Sequence, residues 1–177
     1  MKKAVIAAVR DSNVLNTFAL DGIDTVFLLA TNIIELSATV ARVQSEGKEI
    51  FVHADFAEGV GKDRFGMQFI KNTGANGVIS TRANIIKAAR DVGLKTVQRI
   101  FIVDSQSIET AIESTRSSKP DMIEIMPGVV PKVISAMKAR TDIPIIAGGL
   151  VSDADDVKNA ISAGAIAVST SNTDLWK

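Results

Sequence analysis

Eight short apolar runs at nearly regular intervals constrain this 177-residue chain more than any other feature. They are rich in Val and Ile, and most are apolar at every position, which is typical of parallel strands covered on both faces. The runs begin near Ala4, Thr25, Glu49, Gly77, Thr96, Met122, Pro144 and Ala165, about 23 residues apart. The sequence therefore predicts eight parallel strands in one α/β domain.

Amphipathic segments separate the runs. Ile33, Leu36, Val40 and Val43 recur at helical spacing, for example, and similar sets lie between most of the later runs. Strands that alternate with helices through right-handed crossovers predict a compact closed (β/α)8 TIM-type barrel over residues 1–177. An open doubly wound sheet is the alternative, because such barrels usually have about 200 residues or more.

Composition excludes several classes of protein. Basic and acidic residues number 20 each, so the net charge is zero, without the basic excess typical of a nucleic-acid binder. The absence of cysteine excludes disulfides, thiolate metal sites and cysteine nucleophiles, and it fits a reducing compartment. The first apolar run stops at Arg10, too early for a membrane span. We expect a cytoplasmic protein with no membrane contact, no metal and no cofactor.

The ends of the last two strands predict a phosphate site. In barrels, the loops after the seventh and eighth strands often bind phosphate, using glycines for close backbone approach and converging N–H donors. Gly148 and Gly149 follow the seventh strand, and Ser169, Thr170 and Ser171 follow the eighth. We expect these five residues to bind the phosphate of a small ligand. The alternative is a tight glycine turn with hydroxyl caps.

The third strand carries the one histidine of the chain. Alternation with period two puts Phe51, His53 and Asp55 on one face, so that His53 lies one layer below Asp55 if Asp55 points into the barrel mouth. One histidine cannot build a multi-histidine metal site. We expect His53 and Asp55 to hydrogen-bond hydroxyl groups of a ligand, and a polar pair satisfied within the barrel is the alternative.

Glu124 lies on the sixth strand between two methionines of the same face, where a buried carboxylate is unfavourable without a partner. Arg99 on the neighbouring strand is within reach of it. Two roles stay open for Glu124. It forms an ion pair that fills the barrel, or it contacts a ligand hydroxyl together with Arg10, which ends the first strand.

The loop of residues 58–64 follows the third strand, and its glycines and charges predict a cover over the pocket with Lys62 as the lid residue. A solvated loop is the alternative. No lysine lies inside a strand at its carboxyl end, which argues against a Schiff-base aldolase. We assign no catalytic residue.

Several segments of the chain resemble one bacterial family, in order and over nearly the whole length. They are residues 96–105 (TVQRIFIVDS), 123–128 (IEIMPG), 144–150 (PIIAGGL), 167–171 (AVSTS), the closing Leu175-Trp176, His53-x-Asp55 and residues 77–81 (GVIST). In these segments the chain is similar to the glycerol-3-phosphate-responsive antiterminators, the glycerol uptake operon antiterminators. The glycine pair alone is common to phosphate-binding barrels, whereas residues 98–105 and 124–128 are more specific.

The resemblance implies a regulator rather than an enzyme. Such a protein binds glycerol-3-phosphate as effector and then binds the leader mRNA of glycerol-catabolism genes, which permits read-through of a terminator. Lys132, Lys138 and Arg140 flank the sixth helix and are the candidate RNA contacts, although such a set is more often a solvated helix face. With seven Phe, one Trp and no Tyr, the sequence has no evident platform for stacking bases. An oligomer is compatible with this interpretation.

Two rival functions stay open. An isomerase or synthase acting on a small phosphorylated metabolite would use Asp55 or Glu124 as a general base. A ligand-binding barrel could instead signal through a protein partner.

Overall fold

The eight apolar runs form eight parallel strands that close into one barrel. The computed structural model describes residues 4–17 and 20–177. Its barrel strands are β1 (Val5–Val9), β2 (Thr25–Leu28), β3 (Glu49–His53), β4 (Gly77–Ser80), β5 (Lys95–Phe101), β6 (Met122–Met126), β7 (Ile145–Gly148) and β8 (Ala167–Thr170). Each strand pairs with its neighbours in sequence, and β8 pairs with β1. The predicted closed barrel is confirmed, and the open sheet is excluded.

Helices cover the outside of the barrel, and the elements after the first and the last strand are unusually short. The helices are α1 (Val14–Thr17), α2 (Leu36–Ser45), α3 (Arg64–Asn72), α4 (Ala83–Asp91), α5 (Ser105–Ser118), α6 (Pro131–Lys138) and α7 (Ala154–Ser162). The first is a single turn, and a 3-10 turn at Thr173–Trp176 follows β8 where a full helix would complete the pattern. These two short elements explain how eight strands close within 177 residues.

The core has three parts. One cluster fills the lower barrel interior with one large side chain from most of the strands, Phe27, Phe51 and Ile79 among them. Two larger clusters lie between the strands and the helices. Trp176 belongs to the first of these clusters, and its indole N–H donates to the carbonyl of Thr170 at 3.0 Å, which holds the C-terminal turn against β8.

The carboxyl ends of the strands carry additional structure. Thr31–Asn32 and Ala57–Glu58, which follow β2 and β3, pair as a two-stranded parallel sheet above the barrel. We call this end of the barrel the upper rim. Within the described ranges, every helix is too short or too polar to cross a membrane.

Candidate functional site

A layer of polar side chains lies inside the barrel directly above the apolar interior. Arg99 on β5 and Glu124 on β6 are in register, and the Arg99 Nε donates to Glu124 Oε2 at 2.6 Å. The Ser169 hydroxyl on β8 donates to Glu124 Oε1 at 2.5 Å. Glu124 is 0% exposed, and each of its two carboxylate oxygens accepts a hydrogen bond from one of these side chains. The predicted reach of Arg99 to Glu124 is confirmed.

Gly148 completes this polar layer through its missing side chain. A Cβ at Gly148 would lie 2.5 Å from Glu124 Oε1 and 2.6 Å from Ser169 Oγ. A larger residue at this position would therefore displace the Glu124 carboxylate and the Ser169 hydroxyl from their hydrogen bonds. This requirement could not be seen in the sequence, because the three residues lie on three different strands.

The loop after β7 has an uncommon backbone conformation. Gly149 and Leu150 have φ angles of 78° and 64°, and a bulky residue at positive φ is a genuine outlier that often marks a functional site. The amide of Gly128 donates to the carbonyls of Gly148 (2.6 Å) and Gly149 (3.1 Å). Because peptide units are trans and planar, the N–H groups of Gly149 and Leu150 point away from Gly128.

A cavity of about 420 Å³, which we call the central cavity, lies between the ends of β7, β8 and β1. Its lining includes Gly149, Leu150, Ser169, Thr170 and Ser171. Outside the regular ladders of the described chain, no hydrogen bond is donated by the backbone N–H of Gly149, Leu150 or Ser171. The loops after the seventh and eighth strands therefore contribute three residues with unused amide donors to the lining of one cavity.

The hydroxyl groups of β8 have protein partners. Ser169 donates to Glu124, and the Thr170 hydroxyl donates to the Val151 carbonyl at 2.9 Å. The N-terminus of α7 is also capped, because the Asp153 carboxylate accepts a hydrogen bond from the amide of Asp156. The phosphate prediction therefore depends chiefly on backbone amides and on Ser171, rather than on the hydroxyls of Ser169 and Thr170.

Arg99 is the group that our sequence analysis did not assign to the phosphate. It lines the central cavity, its side chain is 8% exposed, and its Nη2 is buried without a hydrogen-bond partner. A buried guanidinium N–H without an acceptor is costly, and such groups usually have a functional reason. The sequence signal was present, because Arg99 is a charged residue in the middle of a predicted barrel strand.

Asp55 departs from the strand alternation that we used to place it. It lies in a 3-10 turn, Ala54–Phe56, immediately after β3. Its carboxylate accepts from the Ser80 hydroxyl (2.8 Å), the Thr81 amide (2.8 Å) and hydroxyl (2.9 Å), and Arg82 Nε (3.0 Å). Burial raises the pKa of Asp55, but these hydrogen bonds outweigh it, so the pKa lies below its ordinary value. Asp55 thus ties the end of β3 to the end of β4.

His53 points into the barrel, one layer above Phe51, as predicted. Both ring nitrogens are buried without a hydrogen-bond partner, and the ring packs against Phe56 with centroids 4.9 Å apart. Burial first, and then the positive charge of Arg99, lower the pKa of His53 to about 4. Its Nδ1 lies 3.9 Å from Asp55 Oδ2, too far for a hydrogen bond, and the imidazole is neutral at pH 7.

Lys62, the predicted lid residue, is bound to the turn that precedes its own loop. Its ammonium donates to the carbonyls of Ala54 and Ala57, the latter at 2.6 Å. Burial, with the charge of Arg82, lowers the pKa of Lys62. In this structure Lys62 fastens the loop of residues 58–64 to the turn that follows β3.

Arg10 connects two cavities. It is exposed, it has no hydrogen-bond or ion-pair partner among the described residues, and it lines both the central cavity and a larger one of about 660 Å³. The larger cavity, which we call the acidic cavity, is lined by Arg10 and Lys62 and by four carboxylates, Asp11, Glu35, Asp55 and Glu58.

The three candidate RNA contacts are spread over α6 and the turn after it, and one of them is paired with a carboxylate. Lys132 lies at the start of α6 and Lys138 at its end, about 9 Å apart along the helix axis. Arg140 is neutralised by Glu109, with its two terminal nitrogens 2.5 and 2.6 Å from the carboxylate oxygens. The RNA role of these residues stays a prediction.

Comparisons with known proteins agree on one family. A model of the family described as "Glycerol-3-phosphate responsive antiterminator" matches residues 5–176. A glycerol uptake operon antiterminator regulatory protein from Listeria monocytogenes has a similar structure, with a TM-score of 0.93 and 32% identity over 99% of this chain and 96% of that one. An antiterminator-related protein from Thermotoga maritima has a TM-score of 0.88 and 32% identity over 99% of both chains.

Other relatives add less about function. A protein of Escherichia coli K12, YgcP, described as uncharacterized, is 42% identical over 97% of this chain and 91% of its own length. Solved aldolases at 13–15% identity share the barrel fold alone. The family model and the close structural relatives cover nearly all of the chain, so this protein belongs to the glycerol-3-phosphate responsive antiterminator family.

Proposed function

We propose that this protein senses glycerol-3-phosphate in the central cavity and, with the ligand bound, binds the leader mRNA of glycerol-catabolism genes so that polymerase reads through a terminator. The family supports the effector and the antitermination role. One observation carries the placement of the ligand: the unpartnered Nη2 of Arg99 and the free amides of Gly149 and Leu150 belong to residues that line the same cavity.

The phosphate is the part of the ligand that these groups suit. Backbone N–H groups and a guanidinium are the donors that proteins use for phosphate, and a guanidinium binds it in a planar, charge-assisted geometry. Gly149 allows close approach of the backbone, and Ser171 adds a hydroxyl. Because Glu124 already neutralises Arg99 in part, the exposed Arg10 supplies further positive charge for the phosphate dianion.

The glycerol hydroxyls then extend toward Arg10, which lines the central cavity, and toward His53, a buried residue near enough to Arg99 for that charge to lower its pKa. His53 is neutral, so it offers one donor and one acceptor nitrogen, which matches the dual character of a hydroxyl. Asp55 and Glu124 were also candidates for this contact. Their oxygens already accept from protein donors, and we assign them to positioning Arg82 and Arg99.

The same hydrogen bonds argue against the enzyme alternative. A general base near pH 7 needs a pKa raised toward neutrality, whereas hydrogen bonds lower the pKa of Asp55. Glu124 is fully buried in an ion pair. The proposal therefore treats glycerol-3-phosphate as an effector and not as a substrate.

Calorimetric titration tests the site. Wild-type protein should bind glycerol-3-phosphate and bind neither glycerol nor inorganic phosphate comparably. Gly149→Val should lower the glycerol-3-phosphate affinity at least tenfold by filling the approach to the amides. Gly47→Val is the matched control, because Gly47 also has a positive φ (74°) but its Cβ would meet nothing within 4 Å. Unchanged affinity in Gly149→Val would refute the site, and turnover of the ligand would favour the enzyme.

A further inference from the structure

A third cavity, of about 460 Å³, opens at the upper rim between β5 and α5. Phe101 and Val103 form its lip, and they are 57% and 84% exposed, although both are large apolar residues. Gln106 lines the same cavity, and its side-chain amide makes no hydrogen bond within the described chain. The hydroxyl groups that line the cavity, by contrast, form hydrogen bonds within the protein. The Ser107 hydroxyl, for example, donates to the carbonyl of Asp104.

An exposed aromatic ring beside a free amide suits an unpaired nucleobase. Proteins recognise RNA mostly in single-stranded loops, where splayed bases stack on aromatic rings and hydrogen-bond along their edges. Phe101 offers the ring and Gln106 a donor and an acceptor side by side. The volume lies within the roughly 300–1,000 Å³ of small-molecule pockets, which is ample for one base. We propose that this cavity, which we call the base cavity, takes a single unpaired base of the RNA.

Charge decides between this cavity and the acidic cavity on the other side of the centre. The acidic cavity has four carboxylates, of which Asp55 is paired with Arg82, against the two cations Arg10 and Lys62, and this excess of negative charge repels a phosphodiester backbone. The charged residues of the base cavity are Arg99 and Asp104, and Asp104 is committed to the amide of Ser107 at the start of α5. Arg82, which follows Thr81 of this cavity, is paired with Asp55 and adds no free positive charge, so charge favours the base cavity because it is less negative than the acidic cavity.

Arg99 gives the base cavity a physical connection to the ligand. It lines both the central cavity and the base cavity, and it has an N–H without a partner. A phosphate that accepts from Arg99 would fix the guanidinium that forms one wall of the base cavity. A ligand shifts an equilibrium only by its differential affinity for two states, and this shared side chain gives it a means to do so.

This inference rests on the proposed function, and the experiment separates the two. The affinity for an end-labelled leader RNA is measured by fluorescence anisotropy at saturating glycerol-3-phosphate. Phe101→Ala should weaken RNA binding about tenfold or more, since a base stacked on an aromatic ring contributes about that much. Phe101→Trp should retain binding. Phe65→Ala is the matched control, because Phe65 is 83% exposed at the same rim but lies outside the base cavity.

A second probe locates the base itself. The unpaired positions of the RNA are replaced one at a time by 2-aminopurine, whose fluorescence is quenched by stacking. One position should be quenched by wild-type protein and by Phe65→Ala, and released in Phe101→Ala. Calorimetry on each variant should give the wild-type affinity for glycerol-3-phosphate, which demonstrates an intact fold and central cavity.

The outcomes are distinct. If wild-type protein binds the RNA and Phe101→Ala binds it equally well, the base cavity is refuted and the proposed function stands. If wild-type protein binds no leader RNA with the ligand present, the RNA arm of the proposed function fails, and the base cavity fails with it. If sedimentation shows that the wild-type protein self-associates and that Phe101→Ala is monomeric, Phe101 and Val103 form an interface between copies of the chain. That outcome also refutes the proposal.

Discussion

At the scale of the residue, the proposed ligand contact of Arg99 can be separated from its ion pair with Glu124. Arg99→Met leaves the Glu124 carboxylate buried without its cation, which should lower the free energy of unfolding by about 3–5 kcal/mol. The double variant Arg99→Met/Glu124→Leu removes both charges and should recover most of this loss. Both variants should bind glycerol-3-phosphate at least tenfold more weakly, because the guanidinium is gone.

Urea denaturation and calorimetry on the same samples check this prediction. If the double variant regains the free energy of unfolding but not the affinity for glycerol-3-phosphate, then Arg99 contacts the ligand in addition to forming the ion pair. A double variant with wild-type affinity would show that Arg99 only fills the barrel, which is the alternative that the sequence left open.

His53 should make stability depend on pH in a defined window. It titrates near pH 6.5 in the unfolded chain and near 4 in the folded protein. Between these values the unfolded state takes up a proton that the folded state refuses. Stability is therefore full above pH 6.5 and falls as the pH drops, by on the order of 3 kcal/mol at pH 4.

His53→Gln tests the assignment, since this is the one histidine of the chain. The variant should show a flatter free energy of unfolding between pH 6.5 and 4 in a series of urea denaturation curves. The contribution of Asp55 is separate, because its lowered pKa removes stability only below about pH 3.8. Equal slopes in the two proteins would contradict a neutral, buried imidazole.

At the scale of elements, the loop of residues 58–64 should depend on Lys62. Lys62→Met removes the two hydrogen bonds to the carbonyls of Ala54 and Ala57. Hydrogen exchange in this loop should then become faster, because local opening no longer breaks those bonds. Lys158→Met on the exposed face of α7 is the control and should leave exchange in the loop unchanged. Unchanged exchange in Lys62→Met would show that the loop is held by other contacts.

The elements themselves could be predicted where a periodic pattern extends over several residues. All eight strands were predicted, because a parallel strand covered on both faces is apolar at nearly every position. Alternation also put His53 on the face of Phe51 and Glu124 on the face of two methionines, and both side chains are buried. It failed at Asp55, where the chain leaves the strand for a 3-10 turn, and a break after β3 has no signature in the apolar pattern.

Contacts between distant strands could not be predicted from the sequence. The need for glycine at position 148 depends on Glu124 and Ser169, which approach it only after the barrel closes. The exposure of phenylalanine was also missed. The sequence has no evident stacking platform, yet Phe56, Phe65 and Phe101 are all exposed at the upper rim. Composition counts aromatic residues, and only the fold decides which of them reach the surface.

At the scale of the whole molecule, three cavities open at the same end and share walls. Arg10 lines the acidic and central cavities, and Arg99 lines the central and base cavities. A ligand in the central cavity therefore contacts both neighbours through one side chain each. This arrangement places the proposed effector beside the proposed RNA contact, so coupling between them needs no long-range motion.

Such coupling must be reciprocal if it is an equilibrium effect. If glycerol-3-phosphate raises the affinity for leader RNA by some factor, the RNA must raise the affinity for glycerol-3-phosphate by the same factor. Calorimetric titrations of each ligand, with and without the other, close this cycle. We expect both factors to exceed fivefold in wild-type protein and to approach one in Arg99→Met/Glu124→Leu, which lacks the shared wall. The RNA affinity should also fall with rising salt, as it does where cations replace counterions along the phosphates. If RNA leaves the affinity for glycerol-3-phosphate unchanged, the two sites are independent and Arg99 does not connect them.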